Sequence, residues 1–369
     1  MSKKKVSIVD VAHAAGVSYQ TISRVINNSS SVREETRRRV LDAIETLDYH
    51  PSLSAQTLKT QRTRMIGVIA SQTQYAGPLL TLAAIEKMAR DHGLFVSLAT
   101  VDEAHLSRND FAQIEQSFIQ LGVEAMVIVA PTENMLTLAA QPDSRVPRVL
   151  ITAPEGIQSL DSRGFDEEKI KFVCTDQSQV SSDIASRLKH AGIRHVYYIN
   201  GPEQWRDAYT RRSACERACK LHGLSVDIID ADDWVSSKSY EHLSRLIKEV
   251  GSDHLKNCTI WTANDLLGMG AYRAVQEAGL DIPKDVSIVG YDDMPGTESL
   301  MPAMTTVNPQ YEKVGSVAMR LVLDMLSYKP VINNEAYEMQ PEPIVSREFS
   351  YMYLVEPQLV IRESTRQER

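Results

Sequence analysis

Apolar residues in the first fifty positions recur three or four residues apart, which is the spacing of one face of an α-helix. They form three short stripes: Ile8, Val11, Ala12 and Ala15; Ile22, Val25 and Ile26; Val40, Leu41, Ile44 and Leu47. Capping-box spacing precedes the first stripe at Ser7–Asp10 and the third stripe at Ser31–Glu34. The pattern predicts three short helices that share a small core.

The second predicted helix has an outward side without acidic residues. Gly16 lies in a short turn before this helix, and Ser18 can cap the helix. The side chains opposite the apolar stripe are Tyr19, Gln20, Ser23, Arg24 and Asn27. Two short helices joined by a glycine-containing turn are typical of a helix-turn-helix unit, whose second helix enters the DNA major groove. A plain helical bundle is the alternative interpretation.

The segment Val6–Pro51 resembles the DNA-binding headpiece of the lactose-repressor/galactose-repressor family of bacterial transcription regulators. The resemblance is strongest over Val17–Val25 and continues more weakly to the end of the chain. It implies that the following headpiece residues contact DNA: Ser18, Tyr19, Gln20, Thr21, Ser23, Arg24 and Asn27. Gln20 is suited to adenine and Arg24 to guanine, because each side chain can form two hydrogen bonds with the edge of that base.

A proline closes the headpiece, so we place the DNA-binding domain at 1–51 and a linker at 52–64. Within the linker, Ser52–Thr60 has a short helical pattern in which Ala55 and Leu58 are apolar. This segment is shorter than the ~12–15 residues that make an isolated helix even marginally stable in water. The resemblance implies a hinge helix at this place, with Leu58 wedged into the minor groove of DNA. A flexible linker is the alternative interpretation.

From residue 65 onwards, short apolar runs alternate with helical patterns. The predicted strands are Met65–Ala70, Phe95–Thr100, Ala125–Val129, Arg148–Ile151, Phe172–Cys174, Val196–Ile199, Val226–Asp230, Thr259–Thr262 and Val286–Tyr291. Such alternation is typical of α/β folds with parallel sheets covered by helices on both faces. Nine strands are too many for one comfortable core, so we predict two doubly wound parallel-sheet subdomains in a body at 65–369.

The family resemblance implies a periplasmic-binding-protein-like body, in which the chain crosses three times between the subdomains. We place the crossings near Gly164, Pro309 and Tyr328. The predicted subdomains are about 65–164 with 309–328, and about 165–308 with 329–369. Ligands in such folds bind beyond the carboxyl ends of the strands, here in the cleft between the two subdomains.

Aromatic and polar residues follow the predicted strand ends and are the candidates for binding an effector: Ser71, Tyr75, Trp205, Asp207, Arg211, Trp234, Asn264, Asp292 and Tyr311. Aromatic faces suit the C–H faces of a sugar ring, and planar polar groups can bridge adjacent hydroxyls. We therefore expect a sugar effector, with a nucleobase or another metabolite as the alternative. The resemblance also implies a carboxylate where Thr152 stands, so one hydroxyl contact is expected to be missing.

Each of four candidates also has a purely structural interpretation. Trp205 and Trp234 can be packing residues, Arg211 can form a surface ion pair, and Asp292 can cap the turn that begins at Gly290.

The net charge of −8 argues against a nucleic-acid partner until the chain is divided. Residues 1–64 hold 11 basic and 6 acidic residues, whereas the remainder holds 29 basic and 42 acidic residues. A basic head on an acidic body confines phosphate attraction to one end. We expect double-stranded operator DNA as the partner of that end, bound by a homodimer because one headpiece reads few base pairs.

Motifs for other chemistry are missing from the sequence. We find no phosphate-binding loop, His-Glu-x-x-His or nucleophile elbow, and Gly268 and Gly270 are interpreted as packing residues rather than a dinucleotide motif. We therefore expect no enzyme activity, no cofactor and no metal, with a sugar-binding or sugar-processing α/β protein as the remote alternative. The sequence also lacks a secretory signal, a membrane span and any Cys-x-x-Cys, so we expect a cytoplasmic protein with reduced thiols.

Overall fold

The computed structural model describes residues 6–26, 31–49, 62–71, 75–103, 105–141, 145–157, 166–328, 344–346 and 349–367. The chain divides into two compact units, at Met1–Thr63 and Arg64–Arg369. We call these units the headpiece and the body. No helix within the described residues is long and apolar enough to cross a bilayer. The four cysteines are buried free thiols.

Three helices form the headpiece, as predicted: α1 at Ile8–Ala15, α2 at Tyr19–Ile26 and α3 at Glu34–Thr46. Their apolar faces meet in one core, made of Val11, Ala12, Ala15, Ile22, Val25, Val40, Ala43 and Tyr49. The capping box of α1 is confirmed, since Ser7 Oγ accepts the amide hydrogen of Asp10 at 3.3 Å and the Asp10 carboxylate accepts that of Ser7 at 2.8 Å.

Two expectations for α3 are wrong. The helix begins at Glu34 after Arg33, which makes no side-chain cap, so Glu34 occupies the first position of the helix instead of the third. Leu41 is 50% exposed, because it lies about 100° around the helix from the buried Val40, whereas Ala43 lies on the inward side.

The body contains thirteen strands among its described residues: β1 Met65–Ser71, β2 Phe95–Val101, β3 Ala125–Val129, β4 Arg148–Ile151, β5 Ile170–Thr175, β6 His195–Asn200, β7 Ser225–Asp230, β8 Cys258–Thr262, β9 Val286–Val289, β10 Thr306–Asn308, β11 Ile344–Val345, β12 Met352–Val355 and β13 Gln358–Val360. Its α-helices are α4 Ala76–Asp91, α5 Arg108–Leu121, α6 Glu133–Ala139, α7 Ser178–His190, α8 Arg206–His222, α9 Ser236–Val250, α10 Asp265–Glu277 and α11 Tyr311–Met325. Two short 3₁₀ helices lie at Ser252–Leu255 and Thr297–Ser299.

A seven-stranded sheet organises the first half of the body, which we call lobe 1. Its strand order is β11-β12-β5-β4-β3-β1-β2, and every pair is parallel except β11 with β12. Apolar residues of α5 and α6 form a core on one face of this sheet, and those of α4 and α11 form a core on the other face. Helices on both faces explain why these strands read as continuous apolar runs.

A four-stranded parallel sheet organises the second half, which we call lobe 2. Its strand order is β7-β6-β8-β9, and an antiparallel pair, β10 with β13, adjoins it through a bridge between Thr305 and Val289. One apolar core holds this lobe together. All nine predicted strands are present, whereas β10 to β13, which are two to four residues long, were not predicted.

Two of the three predicted crossings between the lobes are misplaced. The crossing expected near Gly164 follows Thr175 instead, because β5 pairs with β4 and β12 in lobe 1; Gly164 itself lies outside the described residues. The crossing expected near Tyr328 lies between Val355 and Gln358, because β12 also belongs to lobe 1. The crossing near Pro309 lies where it was predicted, between β10 and α11. Periodicity identifies strands but carries no information on their order in a sheet.

Candidate functional site

The outward side of α2 is a polar surface with no carboxylate. Ser18, Tyr19, Gln20 and Arg24 are exposed, and Thr21 and Ser23 are half-buried. Tyr19 is 58% exposed even though Ile22 and Val25, on the same helix, are buried in the headpiece core. The cap is formed by Ser18 Oγ, which accepts the amide hydrogen of Thr21 at 3.3 Å. The remaining candidates for DNA contact, Asn27, Ala55 and Leu58, lie outside the described residues, as does the predicted hinge helix.

A cleft opens between the two lobes of the body, beyond the carboxyl ends of both sheets. Eight of the nine candidates for effector binding line it: Tyr75, Trp205, Asp207, Arg211, Trp234, Asn264, Asp292 and Tyr311. The ninth, Ser71, does not line it: this residue ends β1 and is fully buried in lobe 1. The structure therefore brings together residues that are far apart in sequence. Most of them follow the end of a strand, and Arg211 lies one helical turn after Asp207.

Arg211 lies among charged and aromatic side chains in the cleft. It lies one turn after Asp207 on α8, with 3.9 Å between Nη2 and the Asp207 carboxylate, and its Nη1 lies 3.5 Å from the carboxylate of Asp292. Nη1 also donates to the carbonyl of Ala263 at 2.6 Å, and the guanidinium carbon lies 3.7 Å from the ring centroid of Tyr291. Burial alone would lower the pKa of Arg211, but the surrounding oxygens raise it well above its usual value. The guanidinium therefore stays charged and fixed in place.

Asp292 joins the two lobes at the floor of the cleft. Tyr311, at the start of α11 in lobe 1, donates its hydroxyl hydrogen to Asp292 Oδ1 at 2.6 Å. The backbone of Asp292 has a φ of 113°, a left-handed conformation that costs free energy for a residue other than glycine. Burial raises the pKa of Asp292 to about 6, although Arg211 and the Tyr311 hydroxyl lower it. Asp292 is thus an ion-pair and hydrogen-bond partner and not a turn cap.

Three aromatic rings form a corner at one side of the cleft. Tyr75 and Trp205 meet edge to face with centroids 5.5 Å apart, and Trp205 and Trp234 do the same at 5.6 Å and an interplanar angle of 79°. The Trp234 ring lies directly against Gly201, where a Cβ atom would collide with it. Trp205 and Trp234 are therefore both packing residues and lining residues, so the two interpretations of these side chains coexist.

Asn264 has a structural task in addition to its place in the cleft. Its Oδ1 accepts the amide hydrogen of Leu267 at 2.8 Å and so caps α10, while Nδ2 donates to the carbonyl of Trp234 at 3.1 Å. One N–H of the amide is left for a ligand. The side chain thus holds the Trp234 loop at the cleft wall.

Sequence reasoning missed the wall contributed by lobe 1, with the exception of Thr152. This wall is mostly apolar, and apart from Tyr75 and Tyr311 it consists of Gly77, Pro78, Thr81, Val129, Pro131, Ile151, Thr152, Val173, Thr175 and Val314. Most of these residues lie at or just after the ends of β3, β4 and β5, so the rule that identified the polar candidates would have found them. The search for polar and aromatic side chains passed over them.

The charged residues that line the cleft are two carboxylates, Asp207 and Asp292, and one guanidinium, Arg211. The lining is therefore acidic on balance when all three are ionised. Among the described residues, no group of three or more His, Cys, Asp or Glu side chains is placed to hold a metal ion.

A helix-turn-helix unit with a basic head, followed by a two-lobed body with a ligand cleft, defines the class of DNA-binding transcription regulators that carry a small-molecule sensor. Comparison with known proteins agrees. Residues 7–52 match the family model described as bacterial regulatory proteins, lacI family. Residues 185–348 match the periplasmic binding protein-like domain.

Curated relatives cover nearly the whole chain. The chain is 27% identical over 367 residues to the HTH-type transcriptional regulator RegA of Clostridium saccharobutylicum, covering 97% of this chain and 99% of that protein. It is 28% identical over 348 residues to the HTH-type transcriptional repressor PurR of Salmonella paratyphi A, covering 92% of this chain and 96% of that protein. Both relatives are transcriptional regulators.

Solved structures share the fold. The lac repressor dimer bound to operator and the anti-inducer ONPF matches with a TM-score of 0.76 at 23% identity, covering 98% of this chain and 99% of that one. The complex of the transcriptional regulator CelR with cellobiose matches with a TM-score of 0.63 at 23% identity, covering 98% of this chain and 100% of that one. Residues 7–52 therefore carry a helix-turn-helix domain of the lacI family, and residues 185–348 carry a periplasmic binding protein-like domain.

Proposed function

We propose that this regulator binds palindromic operator DNA as a homodimer and is released from it by an uncharged sugar or glycoside in the cleft, in control of carbohydrate-utilisation genes. The observation that carries the effector class is the cleft itself, where an aromatic corner faces two carboxylates and a fixed guanidinium. The proposal describes a cytoplasmic regulator and not an enzyme.

The arrangement of the aromatic rings favours a sugar over a nucleobase. Tyr75 with Trp205, and Trp205 with Trp234, meet nearly at right angles, so each pair makes a corner instead of a parallel slot. A flat base gains most from a slot that stacks on both of its faces, whereas a sugar ring presents C–H groups in several directions. The carboxylates of Asp207 and Asp292 are acceptors for hydroxyl hydrogens.

The charge balance of the cleft argues against an anionic ligand. Arg211 is already paired with Asp292 and lies near Asp207, so little positive charge remains for a phosphate or carboxylate. Charged ligands enter a poorly solvated site only when an opposite charge compensates for lost hydration. The CelR structure with the same fold contains cellobiose, an uncharged disaccharide, and this supports the same ligand class here.

The DNA side of the proposal rests on α2 and on charge. The exposed polar surface of α2 carries Tyr19, Gln20 and Arg24, and residues 1–64 have an excess of basic over acidic side chains. A dimer presents two such helices to two half-sites and so reaches useful affinity. We further propose that Leu58 of the linker wedges into the minor groove between the half-sites, with Ala55 close to the same groove.

A thermal-shift screen tests the effector class. The purified full-length protein is heated with neutral mono- and disaccharides, including cellobiose, in parallel with sugar phosphates and purine bases. A ligand at 100 times its Kd adds ~2.7 kcal/mol to the free energy of unfolding, which raises the midpoint measurably. We expect stabilisation by a neutral sugar or glycoside, and its loss in Arg211→Ala but not in Arg212→Ala, whose side chain pairs with Glu216 away from the cleft lining.

Stabilisation by purine bases or sugar phosphates alone would contradict the proposed effector class. The assignment to the family and the DNA-binding role would be unaffected by that result.

A further inference from the structure

Arg206 is an arginine that the effector site does not use. It is the first residue of α8, directly between Trp205 and Asp207, yet its side chain does not line the cleft. Only 9% of this side chain is exposed. A buried guanidinium is costly unless its donors are satisfied, so the partners of Arg206 show what this position is built to do.

All the side-chain partners of Arg206 belong to the opposite lobe. Nε donates to Thr152 Oγ1 at 3.0 Å and Nη2 donates to the carbonyl of Ala153 at 2.9 Å. Nη2 also donates to the carbonyl of Glu155, and Nη1 forms an ion pair with the carboxylate of Glu133. The guanidinium of lobe 2 is therefore held by a strand end, a turn and a helix start of lobe 1.

The turn after β4 is shaped to receive this guanidinium. Gly156 has a φ of 78°, a conformation that L side chains rarely adopt, and Ile157 anchors the end of the turn by complete burial. The turn thereby presents the carbonyls of Ala153 and Glu155 to one guanidinium edge. Five donors in a fixed plane make arginine suited to such a set of acceptors, whereas a lysine ammonium is not.

Other contacts also join the start of α8 to lobe 1, and we call this boundary between the lobes the seam. The backbone amide of Arg206 donates to the carbonyl of Pro131 at 2.8 Å, and Trp205 forms a β-bridge with Thr132. One turn further along α8, the hydroxyl of Thr210 donates to the Glu155 carboxylate at 2.5 Å. The start of α8 is thus attached to lobe 1 by both backbone and side chains.

We propose that Arg206 is a positioning residue that clamps the two lobes together beside the effector cleft. The clamp consists of Arg206 with Thr152, Ala153, Glu155 and Glu133. Because every partner is a protein group, the clamp needs no effector in order to form. It fixes the start of α8, and with it the places of Asp207 and Arg211, relative to lobe 1.

The clamp also sets the polarity of one end of the cleft. The hydroxyl of Thr152 donates to the carbonyl of Ala130 at 2.7 Å and accepts from Arg206, so its hydrogen and one of its two lone pairs are used. Thr152 lines the cleft and has no hydroxyl hydrogen to offer a ligand. An effector therefore receives no hydrogen-bond donor from Thr152, and this conclusion does not depend on the sugar class proposed above.

Amide hydrogen exchange on the ligand-free, full-length protein tests the clamp. In Arg206→Ala we expect exchange of the amide hydrogen of residue 206, which is bonded to the carbonyl of Pro131 in the opposite lobe, to accelerate at least about tenfold when the lobes separate. Exchange in the strands at 125–129 and 195–200 should stay as in the wild type. The matched control is Arg212→Ala on the same helix, which removes an equal charge whose partners, Glu216 and Asp230, lie within lobe 2.

Two milder variants keep the test decisive if Arg206→Ala does not fold. Arg206→Lys retains the charge but cannot satisfy the planar set of acceptors, and Thr152→Val removes one acceptor at similar volume. Both should accelerate exchange of the amide hydrogen of residue 206 by a smaller factor than Arg206→Ala. Unchanged exchange at the seam in all folded variants would overturn the proposed clamp. Equal acceleration in the core strands would overturn it too, because that result indicates general destabilisation.

Discussion

Asp265 illustrates at the scale of one residue how a buried carboxyl makes the fold depend on pH. It is fully buried at the start of α10, where Oδ1 accepts from the Thr306 hydroxyl at 2.6 Å and Oδ2 accepts from the amide of Met294 at 2.8 Å. Burial, together with the nearby charge of Asp292, raises the pKa of Asp265 to about 8, although the hydrogen bonds from Thr306 and Met294 lower it. The folded protein therefore binds a proton that the unfolded chain releases near the ordinary pKa of 3.8.

We predict that the free energy of unfolding falls as the pH rises towards 8. Between pH 6 and pH 8 the folded state keeps its proton on Asp265 and the unfolded state does not, so each pH unit costs up to about 1.4 kcal/mol. Asp265→Asn removes this titrating group, since its amide oxygen can accept from Met294 and its NH2 group can face Thr306. The free energy of unfolding should then depend less on pH. Urea unfolding at several pH values measures the slope.

Asp253→Asn is the control for the Asp265 prediction, since that carboxylate is exposed, pairs with Lys256, and has a pKa lowered below its usual value by that partner. The control should keep the wild-type slope between pH 6 and pH 8. An equal slope in wild type and Asp265→Asn would contradict the assigned burial cost.

Prediction of single residues from the sequence succeeded where chemistry and position agreed. Asp207 and Arg211 share a helix face because they are four residues apart, and Asp292 follows a strand end, so both signals were visible in the sequence. Ser71 satisfied the same rule but is buried in the sheet. The clamp of Arg206 was out of reach, because its partners come from a turn whose approach to α8 depends on tertiary structure.

Two helices of lobe 2, α9 and α10, pack closely against each other at a glycine. Gly270 lies on α10 where it meets α9, and a Cβ atom there would lie well inside 3.0 Å of the carbonyl of Ser236 and of Ser239 Oγ. Ser239 in turn donates to the carbonyl of Leu267 at 2.7 Å. The interpretation of Gly268 and Gly270 as packing residues is confirmed, since Met304 lies against Gly268 in the same way.

Gly270→Ala should destabilise the protein despite the better helix propensity of alanine. The helices must separate to admit the methyl group, which typically costs about 1–3 kcal/mol and outweighs the ~1 kcal/mol gained in propensity. Denaturant unfolding measures the difference. The double variant Gly270→Ala with Ser239→Gly should recover only part of the loss, because the Ser236 backbone remains in the way. Full wild-type stability in the single variant would contradict the close approach.

The two faces of α2 should respond oppositely to substitution. Ile22 is fully buried, so Ile22→Ala should destabilise the headpiece by about 2–5 kcal/mol and accelerate hydrogen exchange across residues 8–26. Tyr19 is 58% exposed, so Tyr19→Ala should leave exchange unchanged and instead weaken or redirect sequence-selective DNA binding. Equal effects of the two changes on stability would contradict the division of α2 into a buried and a DNA-facing side.

Elements were predictable from the sequence to the extent that they were long and periodic. Strands β1 to β9 were visible as apolar runs, most of them five or more residues long. The headpiece helices were visible because their apolar residues recur three or four positions apart. Strand order was not, since the position of β5 and β12 in lobe 1 depends on which edges the chain can reach. That dependence moved two crossings away from their predicted places.

At the scale of the whole molecule, the chain joins a basic headpiece to an acidic body that carries a cleft. The matches to the lacI family over residues 7–52 and to the periplasmic binding protein-like domain over 185–348 agree with this division of the chain into a headpiece and a body. We propose that the effector acts through the lobes on the linker, where a coupling of ~1–3 kcal/mol gives a several-fold to hundredfold change in DNA affinity.

Selection from a random pool of duplex DNA with the full-length protein, at about 0.15 M salt, tests the central claim most directly. The account predicts enrichment of one motif with two-fold symmetry, weakened binding to it in the presence of the stabilising glycoside, and an altered motif for the double variant Tyr19→Ala with Gln20→Ala. A pool that stays random, or the same motif from the wild type and the double variant, would contradict it.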